Sequence, residues 1–207
     1  MKDSDEEGPV SKTNVERLTN AFFGFTMTLL IRNLAVPDLS TMTGGAIVST
    51  AARYLVDLST YLFVFLVLAV SWVMVFRVYR NIVAVDRGFV VRVFVALLLV
   101  VFLPVTSQLD TALETPIGGV FAQVNILLLG VMTWSLFRYA ARTPSLRNAR
   151  FSDPRVIGRV HHEYIVVPVL SSLALVLSLV DVPLAGIVYL AAPFVLYWTI
   201  GRDGLDP

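Results

Sequence analysis

The feature that most constrains this chain is a series of apolar segments, each about as long as a membrane is thick. A bilayer core of about 30 Å is crossed by roughly 20 helical residues. Because lipid offers no hydrogen-bond partner to the backbone, each such segment is predicted to form a helix. We therefore predict an all-α membrane protein with six transmembrane helices per subunit. The predicted spans are residues 18–36, 54–76, 90–109, 120–139, 164–180 and 183–200.

The composition agrees with a membrane protein and excludes several other classes. Hydrophobic residues make up 57% of the 207 residues and charged residues 15%, whereas soluble domains contain about 45–50% and 25%. A soluble globule of this size could not bury so much apolar surface. The absence of cysteine excludes disulfides and thiolate metal sites. A net charge of +1 provides no basic field, so no nucleic-acid partner is expected.

The distribution of lysine and arginine predicts the orientation of the spans. Basic residues concentrate in the N-terminal tail (residues 1–17), in the loops after the second and fourth spans, and in the C-terminal tail (201–207). The alternate loops contain only Arg53. The positive-inside rule therefore predicts that both tails are cytoplasmic and that the protein crosses the cell membrane several times. An even number of spans agrees with this orientation.

Several residues predict local features of the spans. Gly44 and Gly45 are expected to prevent an early start of the second helix. Pro104 is expected to kink the third span unless neighbours satisfy the freed carbonyl. Asn125, in the fourth span, is predicted to form a hydrogen bond between helices.

The residues that could perform chemistry are few. The sequence contains no phosphate-binding loop, no HExxH metal motif and no GxSxG nucleophile motif. His161 and His162 are adjacent, with Glu163 next to them, at the start of the fifth span. Adjacent helical residues point about 100° apart, so an interfacial polar cap explains them more simply than a metal or proton site. We predict neither an enzyme nor a bound metal or cofactor.

The first predicted helix separates into two faces at helical spacing. From spacing alone, a well-packed helix with a bulky lipid face explains this pattern more simply than a functional surface does. Small residues such as Gly24 and Thr28 allow helices to approach closely in lipid. The bulky face consists of Leu18, Phe22, Phe25, Leu29, Arg32 and Val36. The face of mostly small residues consists of Ala21, Gly24, Thr28, Ile31 and Ala35.

Two charged residues near the spans each have two interpretations. Arg32 lies about 6 Å from the predicted end of the first span, so it can either extend to the interface or stand at the mouth of a pore. Asp57 follows Arg53 by one helical turn, and a local ion pair explains it more simply than a transport site. A secondary transporter that uses Arg32 and Asp57 is a weaker hypothesis, because the sequence shows no internal repeat.

Several stretches resemble the prokaryotic transmembrane protein 175 family. The first helix of that family opens with an arginine and a Phe-Ser-Asp signature, continues as an apolar run with a threonine, and closes near Val-Pro. Here Leu18-Thr19-Asn20 stands in place of Phe-Ser-Asp. Six spans and a length near 200 residues extend the resemblance over nearly the whole chain. The stretches that carry it are residues 16–23 (ERLTNAFF), 27–30 (MTLL), 36–37 (VP), 71–72 (SW), Arg77, 85–87 (VDR) and 103–104 (LP).

The resemblance implies a potassium-permeable cation channel without a re-entrant pore loop. It further implies a homotetramer in which the first helix of each subunit lines a central pore. Carried over by position, Phe25 forms the narrowest ring, Leu29 the next ring, and Thr28 the nearby threonine. Phe22 and Arg32 extend the same face toward the two ends of the helix. The expected partners are a lipid bilayer and monovalent cations, with potassium as the permeant ion and no cofactor.

The altered signature predicts a structural network that holds the first helix. Asn20 replaces the family's aspartate and lies about 140° around the helix from Phe25, so we predict that it faces the subunit interior. Arg17, Thr19 and Trp72 complete this network by position. A second hypothesis stays open, because Phe25 is larger than the usual isoleucine or leucine, Asn20 removes a charge, and Arg32 would repel cations at the mouth of a pore. It is a non-conducting membrane scaffold or sensor that kept the channel fold.

Overall fold

The chain forms a bundle of helices, as the apolar segments predict. The structure is a computed structural model that describes residues 11–32, 34, 37, 40, 44–113, 116–148 and 154–178. Within these residues the elements are α1 (Lys12–Arg32), α2 (Gly45–Arg80), α3 (Arg87–Leu113), α4 (Pro116–Arg142) and α5 (Pro154–Ser178). The predicted sixth span and the C-terminal tail lie outside the described residues.

Three of the described helices are long and apolar enough to cross a membrane. They are α2, the Arg87–Leu109 part of α3 and the Gly118–Arg142 part of α4, and they contain the predicted second, third and fourth spans. In α5 the apolar part is shorter, over Glu163–Leu177. By length and composition these helices agree with a membrane protein, the class that the sequence predicts.

The first helix begins and ends earlier than the predicted span. It starts at Lys12, inside the segment assigned to the N-terminal tail, because Ser11 caps it. The backbone N–H of Asn14 donates to Ser11 Oγ over 3.2 Å, which satisfies one of the free donors of the first turn. The helix ends at Arg32 and not at residue 36.

The second helix also begins before its predicted span. The expectation that Gly44 and Gly45 prevent an early helix start is wrong, since α2 begins at Gly45. Gly44 adopts a φ of 53°, a left-handed conformation that glycine reaches without steric cost and that turns the chain directly into the helix. With 36 residues, α2 is about 54 Å long and exceeds the thickness of a bilayer core.

The loops after α2 and α4 meet at one end of the bundle. Ile82 and Arg147 form an isolated antiparallel bridge, and the N–H of Val83 donates to the carbonyl of Leu146 over 2.8 Å. The C-terminal ends of α2 and α4 and the N-terminal end of α3 therefore lie together. We call this end, where the two loops pair, the loop-paired end.

Asp86 joins α3 to α4 at the loop-paired end. One carboxylate oxygen accepts from the N–H of Phe89 over 2.7 Å, as an N-cap of α3 does. The other accepts from the Tyr139 hydroxyl over 2.7 Å. The Arg92 guanidinium lies 4.0 Å from the centroid of the Tyr139 ring, and this cation–π contact fixes the ring against α3.

Asn125 connects α4 to the part of α3 around Pro104, which confirms its predicted role between helices. Its Nδ2 donates to the Leu99 carbonyl over 3.2 Å and to Thr106 Oγ1 over 3.1 Å. These two acceptors lie on either side of Pro104, which interrupts the backbone hydrogen bonds of α3. The neighbouring helix thus supplies polar contacts where α3 is weakened.

Gly130 allows α4 and α5 to approach closely. A Cβ atom at this position would lie 3.1 Å from Val167 Cγ1 and 3.4 Å from the Pro168 nitrogen. These distances leave no room for a branched side chain between the helices. The contact explains why α5 can pack on α4 at the position of its internal proline.

We predict that Gly130→Val destabilises the protein by about 1–3 kcal/mol, because the added methyl groups force α4 and α5 apart. Thermal unfolding of the purified protein in detergent measures the effect. Gly158→Ala is the matched control, since nothing lies within 4 Å of a Cβ at that exposed glycine of α5. An unchanged unfolding midpoint in Gly130→Val would contradict this account of the contact.

Candidate functional site

The face of α1 that packs against the other helices has buried residues at helical spacing. The buried residues of the helix are Val15, Thr19, Phe23, Thr26 and Leu30. This face contacts α2 and α3 and contains none of the residues assigned to a pore. The pore-assigned residues consequently lie on the sides or on the outer face of α1.

The opposite face of α1 is exposed and contains small residues. Ala21, Gly24 and Thr28 are all exposed, and nothing lies within 4 Å of a Cβ placed at Gly24. The Thr28 hydroxyl donates to the carbonyl of Gly24 over 2.6 Å. Next to this row, 64% of Phe25 is exposed. On its own, the chain therefore leaves the Phe25 ring and the row of Ala21, Gly24 and Thr28 uncovered on α1.

A groove between α1 and α3 receives the bulky face of α1. Phe22 and Leu29 are half-buried along it, and Arg32 lines its far end together with Gln108 of α3. Apart from Arg32, Gln108 and Thr26, the residues that line the groove are apolar. The predicted bulky face thus lies along the groove beside α3, and Phe25 also lines the groove although 64% of it is exposed.

Two hydrogen bonds hold the first half of α1 against α2. Thr19 Oγ1 lies 2.9 Å from the hydroxyl oxygen of Tyr79, and both groups are buried. The indole Nε1 of Trp72 donates to Asn20 Oδ1 over 2.9 Å. The structure therefore brings Thr19, Asn20 and Trp72 together on one side of α1.

Two parts of the predicted network differ in the structure. Asn20 is exposed at the edge of the helix and does not face the subunit interior, because Thr19 occupies the buried position. Arg17 is also exposed, and no hydrogen bond joins it to Asn20 in the part of the chain that the structure describes. The long side chain of Arg17 reaches solvent at the start of the helix, where charge is readily hydrated.

Tyr79 belongs to this network, and the sequence reasoning did not include it. It is 1% exposed and packs edge-on against Phe89, with ring centroids 5.8 Å apart. Trp72 and Tyr79 are two helical turns apart and share a face of α2. That spacing was a signal in the sequence, but the register of α2 against α1 was needed to interpret it.

The histidine segment of α5 contacts α4 and α2. His161 Nε2 accepts from the Trp134 indole over 3.4 Å, and Glu163 forms an ion pair with Arg77 at 3.1 Å. The side chain of His162 lies outside the described residues. Within the described residues no group of three His, Cys, Asp or Glu side chains is placed to hold a metal ion. These contacts join α5 to the other helices.

The predicted pair of Arg53 and Asp57 is not formed. Both residues are exposed on α2, and the salt bridge between the described residues is the one from Arg77 to Glu163. The expectation of a local ion pair is therefore wrong. Two exposed side chains one turn apart gain little from pairing in water, since the Coulomb attraction is weak there.

The long apolar helices define a helical membrane protein. Residues 14–104 match the family described as endosomal/lysosomal potassium channel TMEM175. The fold is similar to the crystal structure of a lysosomal potassium-selective channel TMEM175 homologue from Chamaesiphon minutus, with a TM-score of 0.72 and 21% identity. The alignment covers 89% of this chain and 96% of that one. No curated protein matches the sequence.

The match over residues 14–104 agrees with the resemblance that the sequence shows to this family. The family is one of ion channels and not of enzymes. This agrees with the expectation that the chain is not an enzyme. The matched segment contains α2, all but the first two residues of α1, and Val101 and Pro104 of the α3 residues that line the groove. The family match thus covers the α1 part of the candidate site, whereas Val105 and Gln108 lie beyond it.

We predict that Thr19→Val destabilises the protein by about 1–3 kcal/mol, because it leaves the buried Tyr79 hydroxyl without this partner. Thermal unfolding in detergent measures the change. Thr13→Val, at an exposed position of the same helix, is the matched control and should have a much smaller effect. Equal midpoints for the two variants would contradict an anchoring role for Thr19.

Proposed function

We propose that this chain is one subunit of a homotetrameric, potassium-permeable channel of the cell membrane, in which α1 lines the central pore. The match of residues 14–104 to a potassium-channel family supports the channel class and potassium as the permeant ion. The observation that carries the pore assignment is the exposure of Phe25 and Thr28 on α1. These residues are the ones that the family resemblance assigns to the narrowest part.

The composition of α1 supports a position away from lipid. With 21 residues, the helix is about 32 Å long, enough to cross a bilayer core. Unlike α2, α3 and α4, it is not among the described helices that are apolar enough to span a membrane on their own. Its exposed side includes Arg17, Thr28 and Arg32. A helix of this kind is stable across a bilayer when other subunits and water cover its polar side.

A fourfold arrangement would turn each exposed residue of α1 into a ring. Four Phe25 side chains would form the narrowest apolar constriction, with Leu29 one turn further along the helix. An apolar constriction of this kind gates by losing its water and selects by its width. Thr28 lies beside it, and the oxygen of its hydroxyl keeps lone pairs for a cation although its proton is donated to the backbone. Potassium is the permeant ion of this proposal, and no cofactor is required.

The charge distribution supports an orientation with the loop-paired end in the cytoplasm. Lysine and arginine are frequent at that end, in the first turn of α1 and in the last turns of α2 and α4. By the positive-inside rule this end faces the cytoplasm, together with the N-terminus. Arg32 then lies at the outer end of α1.

We predict that Phe25→Ala raises potassium flux several-fold or weakens selectivity against sodium, because it widens the apolar constriction. The measurement is ion flux into liposomes that contain the purified protein. Phe94→Ala is the matched control, since 51% of this α3 phenylalanine is exposed and the proposal assigns it to lipid. It should leave flux unchanged.

The absence of flux from well-folded tetramers of both the wild type and Phe25→Ala would overturn the channel proposal. It would favour a membrane scaffold or sensor that kept the fold. A monomeric protein in mild detergent and in lipid nanodiscs would overturn the tetrameric pore.

We predict that Arg32→Gln increases cation conductance, because four arginines near one mouth of the pore raise the local potential and repel cations. Single-channel recording at low ionic strength measures the effect most sensitively, since salt screens it. Arg53→Gln removes the same charge from α2 and should change conductance less. An equal increase in both variants would contradict a position of Arg32 at the pore mouth.

A further inference from the structure

A second cavity lies between α1, α2 and α3, at the end opposite to the loop-paired end. Its volume is about 150 Å³. Leu30 of α1, Leu34 just after that helix and Val64 of α2 are its apolar lining residues. The other lining residues carry oxygen atoms, and they are Asp57, Thr60, Tyr61, Ser107 and Gln108. The cavity is thus lined on two helices by oxygen-bearing side chains.

Asp57 gives this cavity a negative charge. Its carboxylate forms no salt bridge within the described part of the chain. The residue lies about 30 Å along α2 from Arg77, at 1.5 Å per residue, which is the thickness of a bilayer core. The carboxylate therefore lies near the level at which α2 leaves the membrane, where water still reaches it.

The end of α1 adds a second source of negative potential. Leu30 belongs to the last turn of α1 and lines the cavity. The carbonyl groups of a last helical turn have no partners within the helix, and the helix dipole places partial negative charge there. The cavity thus receives a helix C-terminus in addition to a carboxylate, and both favour a positive ion.

The nearest arginine of α1 points away from this cavity. Leu30 is buried on the cavity side of α1, whereas Arg32 is exposed and lines the groove on the other side. Two residues of separation place their side chains about 160° apart around the helix. Gln108 lines both the cavity and the groove. The positive charge of Arg32 is therefore separated from the Asp57 carboxylate.

The oxygen atoms define the class of ion that would fit. Ser107 donates its proton to the Pro104 carbonyl over 2.9 Å, so the lone pairs of its oxygen remain for a cation. Carboxylate, hydroxyl and amide oxygens are ligands of hard cations. Calcium sites usually combine several carboxylates with six to eight oxygens, whereas Asp57 is the one carboxylate among the described residues that line this cavity. The volume of about 150 Å³ is larger than one water molecule needs, which leaves room for retained hydration.

We propose that this cavity binds one partly hydrated monovalent cation, of the potassium type, between Asp57 and Ser107. The site lies behind α1, on the side opposite to the exposed face that carries Thr28. It is therefore distinct from the pore of the proposed function and does not depend on it. A bound cation would neutralise Asp57 and join the end of α1 to α2 and α3.

The test is thermal unfolding of the full chain in detergent, with potassium chloride titrated against choline chloride at constant ionic strength. The unfolding midpoint of the wild type should rise saturably by about 2–4 °C with potassium, because a ligand of the folded state stabilises it. Asp57→Asn should abolish this rise. Asp57→Lys should also be insensitive to potassium, since its ammonium replaces the cation. Glu16→Gln, which removes a carboxylate from the other end of α1, is the matched control and should keep the rise.

A direct measurement complements the titration. Crystals soaked in thallium, a monovalent substitute for potassium, should show anomalous scattering between Asp57 and Ser107 in the wild type and none there in Asp57→Asn. A potassium-dependent rise that persists in Asp57→Asn overturns the proposal, and so does thallium found only on the pore axis. Both readouts are independent of ion flux, so a failure of this site is distinguishable from a failure of the channel proposal.

Discussion

The structure depends on how α1 is held, because α1 is the least apolar of the described helices. In a low-dielectric environment a buried polar group without a partner is costly. Thr19 and Tyr79 satisfy each other across the contact between α1 and α2, and this pairing turns Thr19 inward. Once Thr19 is buried, the helical repeat places Thr28 and Phe25 on the outside. One interhelical hydrogen bond therefore fixes the face on which the proposed function depends.

The two ends of the bundle differ in how they are connected. At the loop-paired end, the ion pair of Arg77 with Glu163 and the contacts of Asp86 join four helices. At the other end, α1, α2 and α3 enclose a polar cavity beside Asp57. A well-connected end provides a fixed base for α1, whereas the other end contains the cavity proposed to bind a cation.

The apolar segments were sufficient to predict the helices but not their ends. Apolar composition changes gradually at a membrane boundary, whereas a helix ends where its backbone hydrogen bonds end. The cap of Ser11 and the left-handed φ of Gly44 decide two of these ends. In the candidate site, Trp72 and Asn20 were predicted as a set and are bonded to each other. Tyr79 was missed, because its role requires the register of α2 against α1.

The sequence by itself determined that the chain is helical, that it belongs in a membrane, and which residues share each face of a helix. These properties follow from composition and from the 3.6-residue repeat, which are local. Only the tertiary structure decided which face of α1 is buried, that Arg53 and Asp57 stay apart, and that Arg32 and Asp57 lie on opposite sides of α1. Such choices depend on contacts between residues far apart in the chain. No local pattern specifies how one helix is rotated against another.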